Sequence, residues 1–211
     1  MSSPLISRVR DARRAFTLIE LLTVIAIIGI LAGITFGVAR GVQERSAIQQ
    51  ARTELATLST ALENYKRQYG DYPQTGALTT AGVESSPFLG SIAATSSQAA
   101  LFNALGGKIG PKLANFANGK VFVELAKFRL ETADLPILTN DTVVANAFLD
   151  PWGRRYIYAY RNAGAPGTWT APSFALFSVG PDGKVKAGDP TNTGAIDYAH
   201  VDNLDNIYSN R

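Results

Sequence analysis

Cysteine is absent from the chain. That excludes disulfides, thiolate metal sites and cysteine nucleophiles. Histidine occurs once, as His200, between Ala199 and Val201 and with no partner at a recognisable spacing. The nucleophile elbow, the phosphate-binding glycine loop and the paired-histidine zinc motif are all missing. The chain is therefore not expected to be an enzyme. Net charge is absent outside the N-terminus, where basic and acidic residues balance. Arg8, Arg10, Arg13 and Arg14 against Asp11 account for the whole net charge of +3, which leaves the rest of the chain neutral. No lysine or arginine stripe with interleaved aromatics remains, so a nucleic-acid partner is not expected. What the chain has in quantity is apolar residues, 46% of its 211, enough for one packed domain and an accessory segment.

The apolar residues concentrate first in residues 18–38, LIELLTVIAIIGILAGITFGV. As a helix rising ~1.5 Å per residue this run covers about 30 Å, the thickness of a bilayer's hydrocarbon layer. The arginine-rich segment before it is expected to stay cytoplasmic, which places the remainder outside the inner membrane. An ordinary secretory signal has a shorter apolar region and ends at a small-residue cleavage site. Here the helical pattern continues past Val38, so such a cut would fall within a helix. Arg13-Arg14 also resembles a twin-arginine export signal. The run contains a single charge, Glu20. An acid in the apolar layer costs about 3 kcal/mol and calls for a partner; a position near the cytoplasmic headgroups is the plainer account. Gly29, Gly33, Gly37 and Gly41 recur every fourth residue, a stripe that lets helix backbones approach closely in lipid.

Ile48, Ala51, Leu55, Leu58, Leu62, Tyr65 and Tyr69 then follow in steps of three and four, the apolar stripe of an amphipathic helix. Gly70 and Pro73 stop it. A helix over 17–69 is expected, its first part in lipid or a filament core and its second part under a head. Residues 97–105 read as a further helix ended by Gly106-Gly107. Residues 120–130 read equally as strand or helix. Asp150-Pro151-Trp152-Gly153 is a turn, residues 155–160 an alternating strand, and residues 173–179 a second strand.

Arg13-Arg14-Ala15-Phe16-Thr17-Leu18-Ile19-Glu20-Leu21-Leu22 resembles the class III leader of type IV pilins and type II secretion pseudopilins. The resemblance implies cleavage by a prepilin peptidase between Ala15 and Phe16, with Ala15 standing where that family has glycine. It further implies N-methylation of Phe16. It makes Glu20 the group that pairs with the N-terminal amine of a neighbouring subunit, so that a buried acid meets a buried ammonium. The order DPWG, strand, loop, strand is similar to the major pseudopilin of type II secretion. The implied fold class is α+β: a long N-terminal helix, transmembrane in one half and amphipathic in the other, on a small antiparallel sheet. The implied division is a leader at 1–15, a transmembrane or filament-core helix at 16–39, and its amphipathic continuation at 40–70. A variable inserted region at 71–149 and a sheet with a C-terminal loop at 150–211 complete it.

In that family an S-x-G-x-D-G loop and a later acidic segment bind one calcium ion. Ser178-Val179-Gly180-Pro181-Asp182-Gly183 and Asp202-Asn203-Leu204-Asp205-Asn206-Ile207 occupy those places. The implied ligands are Asp182, Asp202, Asp205, Asn206 and the Val179 carbonyl, a set of oxygens suited to calcium. The same residues also read as a plain Asp-Gly turn and a solvated acidic tail. The resemblance implies a structural subunit of a secretion pseudopilus, single-pass in the inner membrane with a periplasmic head. Its partners would be copies of itself, other pseudopilins, the prepilin peptidase and an inner-membrane assembly platform. Assembly would use Glu20 for register and Gly29, Gly33 and Gly37 for close packing. A type IV pilus pilin and a signal-anchored binding domain that never polymerises are the alternatives.

Overall fold

The structure, a computed structural model, describes residues 16–75, 96–110, 119–136, 139–140, 142–161, 166–191 and 193–209, without the side chains of 34–40 and 166. The chain forms two compact units, Met1–Gln43 and Glu44–Arg211. Helix α1, Leu18–Tyr69, contributes its first part to one and its remainder to the other. Its first turn is closed by a capping box. The Thr17 amide and hydroxyl donate to Glu20 Oε2 at 2.9 and 2.7 Å, and the Glu20 amide donates back to Thr17 Oγ1 at 3.3 Å.

In the second unit the periodicity of α1 becomes a buried face. Ala51, Leu55, Leu58, Ala61, Leu62 and Tyr65 are at most 3% exposed. Against them pack α2 (Ser97–Leu105) and aromatic residues of a three-stranded sheet. Ser96 caps α2 by accepting from the Ala99 amide at 3.2 Å, and every residue of α2 is buried. At least this part of the inserted region is therefore core. Residues 120–130 resolve into a single 3₁₀ turn, Leu125–Lys127, followed by β1, Arg129–Leu130. β1 pairs antiparallel with β2, Phe148–Leu149. Two buried asparagines hold the surrounding chain where no ladder exists. Asn103 donates to the carbonyls of Ala99 and Val144 and accepts from the Val144 amide. Asn146 donates to the carbonyls of Thr132 and Asp134 and accepts from the Thr132 amide.

The larger sheet has the order β3-β4-β5, all antiparallel, with β3 at Ile157–Ala159, β4 at Ala175–Ser178 and β5 at Ile207–Tyr208. Tyr158 opposes Leu176, and Ser178 opposes Ile207. The strands are shorter than the apolar runs that contain them. Alternation sorts the side chains onto two faces. Tyr156, Tyr158, Tyr160, Phe174, Leu176 and Ile207 join the helix-side core. Ile157, Ala159, Ala175, Phe177 and Val179 form a second cluster, covered by Trp169, Val185, Ile196 and Tyr208. Both faces are thus buried, the outer one under the chain that leads from β4 to β5.

Candidate functional site

Two places carry candidate function, one in each unit. In the first, the described apolar residues have no cover. Phe16, Leu18, Ile19, Leu21, Leu22, Val24, Ile25, Ile27, Ile28, Ile30 and Leu31 are between 49% and 83% exposed. A helix apolar on all sides belongs in lipid or among other helices. Among the described residues no helix is long and apolar enough to cross a membrane. The described apolar stretch is 18–33, and the sequence continues it to 38 through residues whose side chains fall outside that set. Apart from the helix's own backbone, no described residue lies within 4 Å of where a Cβ would stand on Gly29, Gly33 or Gly41, so that part of the stripe is open to a neighbour. The surroundings of Gly37, the leader 1–15 and Ala15 with its cleavage bond lie outside the described residues. Glu20 Oε2 is engaged by Thr17.

The second place is where the loop after β4 meets the segment before β5. Gly180 and Gly183 turn the loop with φ of +66° and +73°, the left-handed region that glycine enters at no steric cost. A Cβ on Gly180 would collide with the Asp205 carbonyl, so the two segments approach only because none is present. Asp182 and Asp205 come together here. The Asp182 amide donates to Asp205 Oδ2 at 3.1 Å, and Asp182 Oδ1 accepts from the Lys184 amide at 2.8 Å. Burial, with the nearby Asp182 charge, raises the Asp205 acid above the usual carboxylate range. Asp202 engages His200: its Oδ2 lies 3.5 Å from His200 Nδ1, which also accepts from the Asp202 amide at 3.2 Å. Among the described residues no three His, Cys, Asp or Glu side chains gather as a metal cluster. A calcium site of this kind would draw on backbone and amide oxygens as well.

Asn206 supplies the sharpest observation. One end of its amide lies 3.0 Å from the Lys184 carbonyl and 3.1 Å from the Val179 carbonyl; the other lies 3.2 Å from Asn203 Oδ1. Asn203 cannot turn to help. Its Nδ2 donates to Asp189 Oδ2 and to the Asp197 carbonyl, both at 2.8 Å, and its Oδ1 accepts from the Lys186 amide at 2.9 Å. Asn206 thus meets acceptors at both ends and has one NH₂ group to offer. With Nδ2 toward Asn203, Oδ1 faces two carbonyls. With Nδ2 toward the carbonyls, Oδ1 faces Asn203 Oδ1, relieved only by the Tyr208 hydroxyl at 3.4 Å. A cation among Asn206 Oδ1, Val179 O and Lys184 O removes the conflict and leaves Nδ2 on Asn203. The residues present therefore fit a calcium ion. The Lys184 carbonyl was not foreseen, because a backbone oxygen leaves no trace in side-chain identity.

The DPWG turn supports this loop. Asp150 is fully buried; it accepts from Ser178 Oγ at 2.6 Å and from the amides of Trp152 and Arg154 at 3.0 and 2.8 Å. Burial nonetheless holds its acid above the usual range. Ser178 Oγ in turn accepts from the Gly180 amide at 3.1 Å. Trp152 is a half-buried packing residue against the helix-side core.

The long helix, apolar and uncovered in its first part and buried along one face in its second, and the small antiparallel sheets make an α+β, pilin-like arrangement. Residues 10–36 match the family model described as the prokaryotic N-terminal methylation motif. Over 188 residues, 89% of this chain and 95% of the relative, it is 29% identical to the type II secretion system core protein G of Escherichia coli (strain K12). It is 36% identical to the core protein G of Pectobacterium carotovorum subsp. carotovorum over 63 residues, 30% of this chain and 40% of the relative. To the type IV major pilin protein PilA of Myxococcus xanthus (strain DK1622) it is 43% identical over 70 residues, 32% of each chain. No solved structure matches.

Proposed function

We propose that this chain is a structural subunit of a type II secretion pseudopilus. A prepilin peptidase removes residues 1–15, Phe16 is N-methylated, and the helix that follows anchors the subunit in the inner membrane with the head in the periplasm. Assembly stacks this helix among those of neighbouring copies and of other pseudopilins on an inner-membrane platform, with the energy supplied by a separate assembly ATPase. The role is structural and not catalytic. The observation that carries this reading is the methylation motif at 10–36 on a chain similar to a secretion core protein G along 89% of its length. The type IV pilin reading has the higher identity, but that covers only 32% of the chain.

The physical logic centres on Glu20. In lipid its carboxylate is costly without a partner. Thr17 supplies two donors to Oε2, and in the filament the N-terminal amine of a neighbouring subunit's Phe16 would neutralise the charge. Glu20→Ala is expected to leave the head folded and the protein in the membrane while abolishing filaments, scored by electron microscopy of sheared surface fibres on overexpression. Filaments at normal abundance would remove Glu20 from the assembly mechanism.

The second proposal concerns calcium. The carbonyls of Val179 and Lys184, Asn206 Oδ1, and the carboxylates of Asp182 and Asp205 would hold one ion, with Asp202 as a further ligand from the C-terminal segment. The ion would join the two segments further and would compensate two carboxylates brought close together. The acceptor conflict at Asn206 supports it. Calcium is expected to raise the melting temperature of the full chain in detergent; magnesium, with its stricter octahedral demand, is expected to do so less.

A further inference from the structure

Arg154 follows the DPWG turn and lies outside the implied ligand set, yet its side chain reaches into the loop that carries two of those ligands, Val179 and Asp182, and the Lys184 carbonyl. One guanidinium nitrogen donates to the Gly180 carbonyl and the other to the Pro181 carbonyl, the latter at 3.2 Å. These carbonyls lie between Val179 and Asp182, which contribute to the calcium site proposed above. A trans peptide is planar and carries its C=O and N–H on opposite edges. The peptide between Pro181 and Asp182 is held at both edges: its carbonyl by Arg154, its N–H by Asp205 Oδ2 at 3.1 Å. The preceding peptide is held by Arg154 through the Gly180 carbonyl and, one step back, by Ser178 Oγ on the Gly180 amide.

The loop is also shaped to admit the guanidinium. A Cβ on Gly183 would stand 2.5 Å from Arg154 Cζ and Nε, closer than side chains pack. Gly183 thus provides both a φ of +73° and the space that Arg154 fills.

We propose that Arg154 is a positioning residue for the calcium site. Its fork fixes the peptide planes at 180–182, so that the intervening carbonyls turn toward the chain's own cation and those of Val179 and Lys184 turn toward the bound one. This rests on the calcium reading. The Coulomb effect of Arg154 runs the other way, since a positive charge near the site disfavours a second cation. The two effects therefore predict opposite signs on removal. Lysine keeps the charge and loses the planar two-donor fork, so it separates them again.

Calcium chloride is titrated into the full-length chain in detergent and its variants by calorimetry, with the melting temperature of each calcium-free chain recorded alongside. Arg154→Met and Arg154→Lys are each expected to weaken calcium binding by about tenfold or more, the size of effect usual for groups that orient metal ligands. Gly183→Ala, which displaces the guanidinium, is expected to do the same. Tighter or unchanged binding in Arg154→Met would overturn the positioning role. So would normal affinity in Arg154→Lys, which decides the matter if the methionine variant fails to fold. Failure of the unmodified chain to bind calcium would instead overturn the calcium reading, and this proposal with it.

Discussion

At the scale of single residues, Asp71 ties the end of α1 to the sheet. It accepts from the Tyr72 amide at 3.0 Å, from Tyr160 Oη at 2.9 Å and from Gln74 Nε2 at 3.1 Å, and it pairs with Arg161. Burial alone would raise its acid, but the donors together outweigh burial and hold it below 3.8. A carboxylate lowered by folding contributes stability that is complete above its unfolded value and lost as the pH falls through the folded one. The melting temperature is therefore expected to fall as the pH drops through and below the ordinary aspartate range, and Asp71→Asn to flatten part of that fall. An identical profile in the variant would remove Asp71 from the acid response. Asn206 gives a second residue-scale prediction. Asn206→Asp adds a third carboxylate beside Asp182 and Asp205. Calcium affinity is expected to rise by about an order of magnitude, since charge count tunes such sites, while the calcium-free chain melts lower. A variant stabilised without calcium would contradict the acceptor geometry described for this position.

At the scale of elements, the head depends on α2 as much as on α1. Phe102 is fully buried and its ring packs 5.3 Å from that of Phe148. Phe102→Ala is expected to cost about 3–5 kcal/mol, measured by urea denaturation of the full chain in detergent. A loss under about 1 kcal/mol would mean that α2 is dispensable to the core. How far these elements can be read without coordinates follows from the range of the forces that make them. The apolar spacing from Ile48 to Tyr69 anticipated a helix over 17–69, observed as Leu18–Tyr69, because helix periodicity is local. The helix at 97–105 was legible too, ended by Gly106-Gly107, while the Ser96 cap emerges only in the structure. Residues 120–130 were not, because a three-residue turn and a two-residue strand leave too short a pattern. β2 went unseen because its surroundings are held by Asn146 and Asn103 across 12 to 41 residues of chain. At the loop after β4 the structure brings Asp182 to Asp205 and sets the Asn206 amide beside the carbonyls of Val179 and Lys184. The Lys184 carbonyl and the Arg154 brace arise from backbone direction, which no residue type announces.

At the scale of the whole molecule, the two units meet opposite physical demands. The head buries its apolar residues internally, around Tyr65, Tyr158 and Phe177. The N-terminal unit leaves its described apolar residues for lipid or for other copies of the chain. Under the function proposed above, that division suits a subunit stored in a membrane and drawn from it into a filament. The measurement that tests this most directly is mass spectrometry of the N-terminal peptide from protein purified out of its native host. The account predicts a chain that begins at N-methylated Phe16. A chain left uncut at Met1, or cut after the apolar run near residue 39, would contradict it and leave an anchored or exported domain in place of a filament subunit.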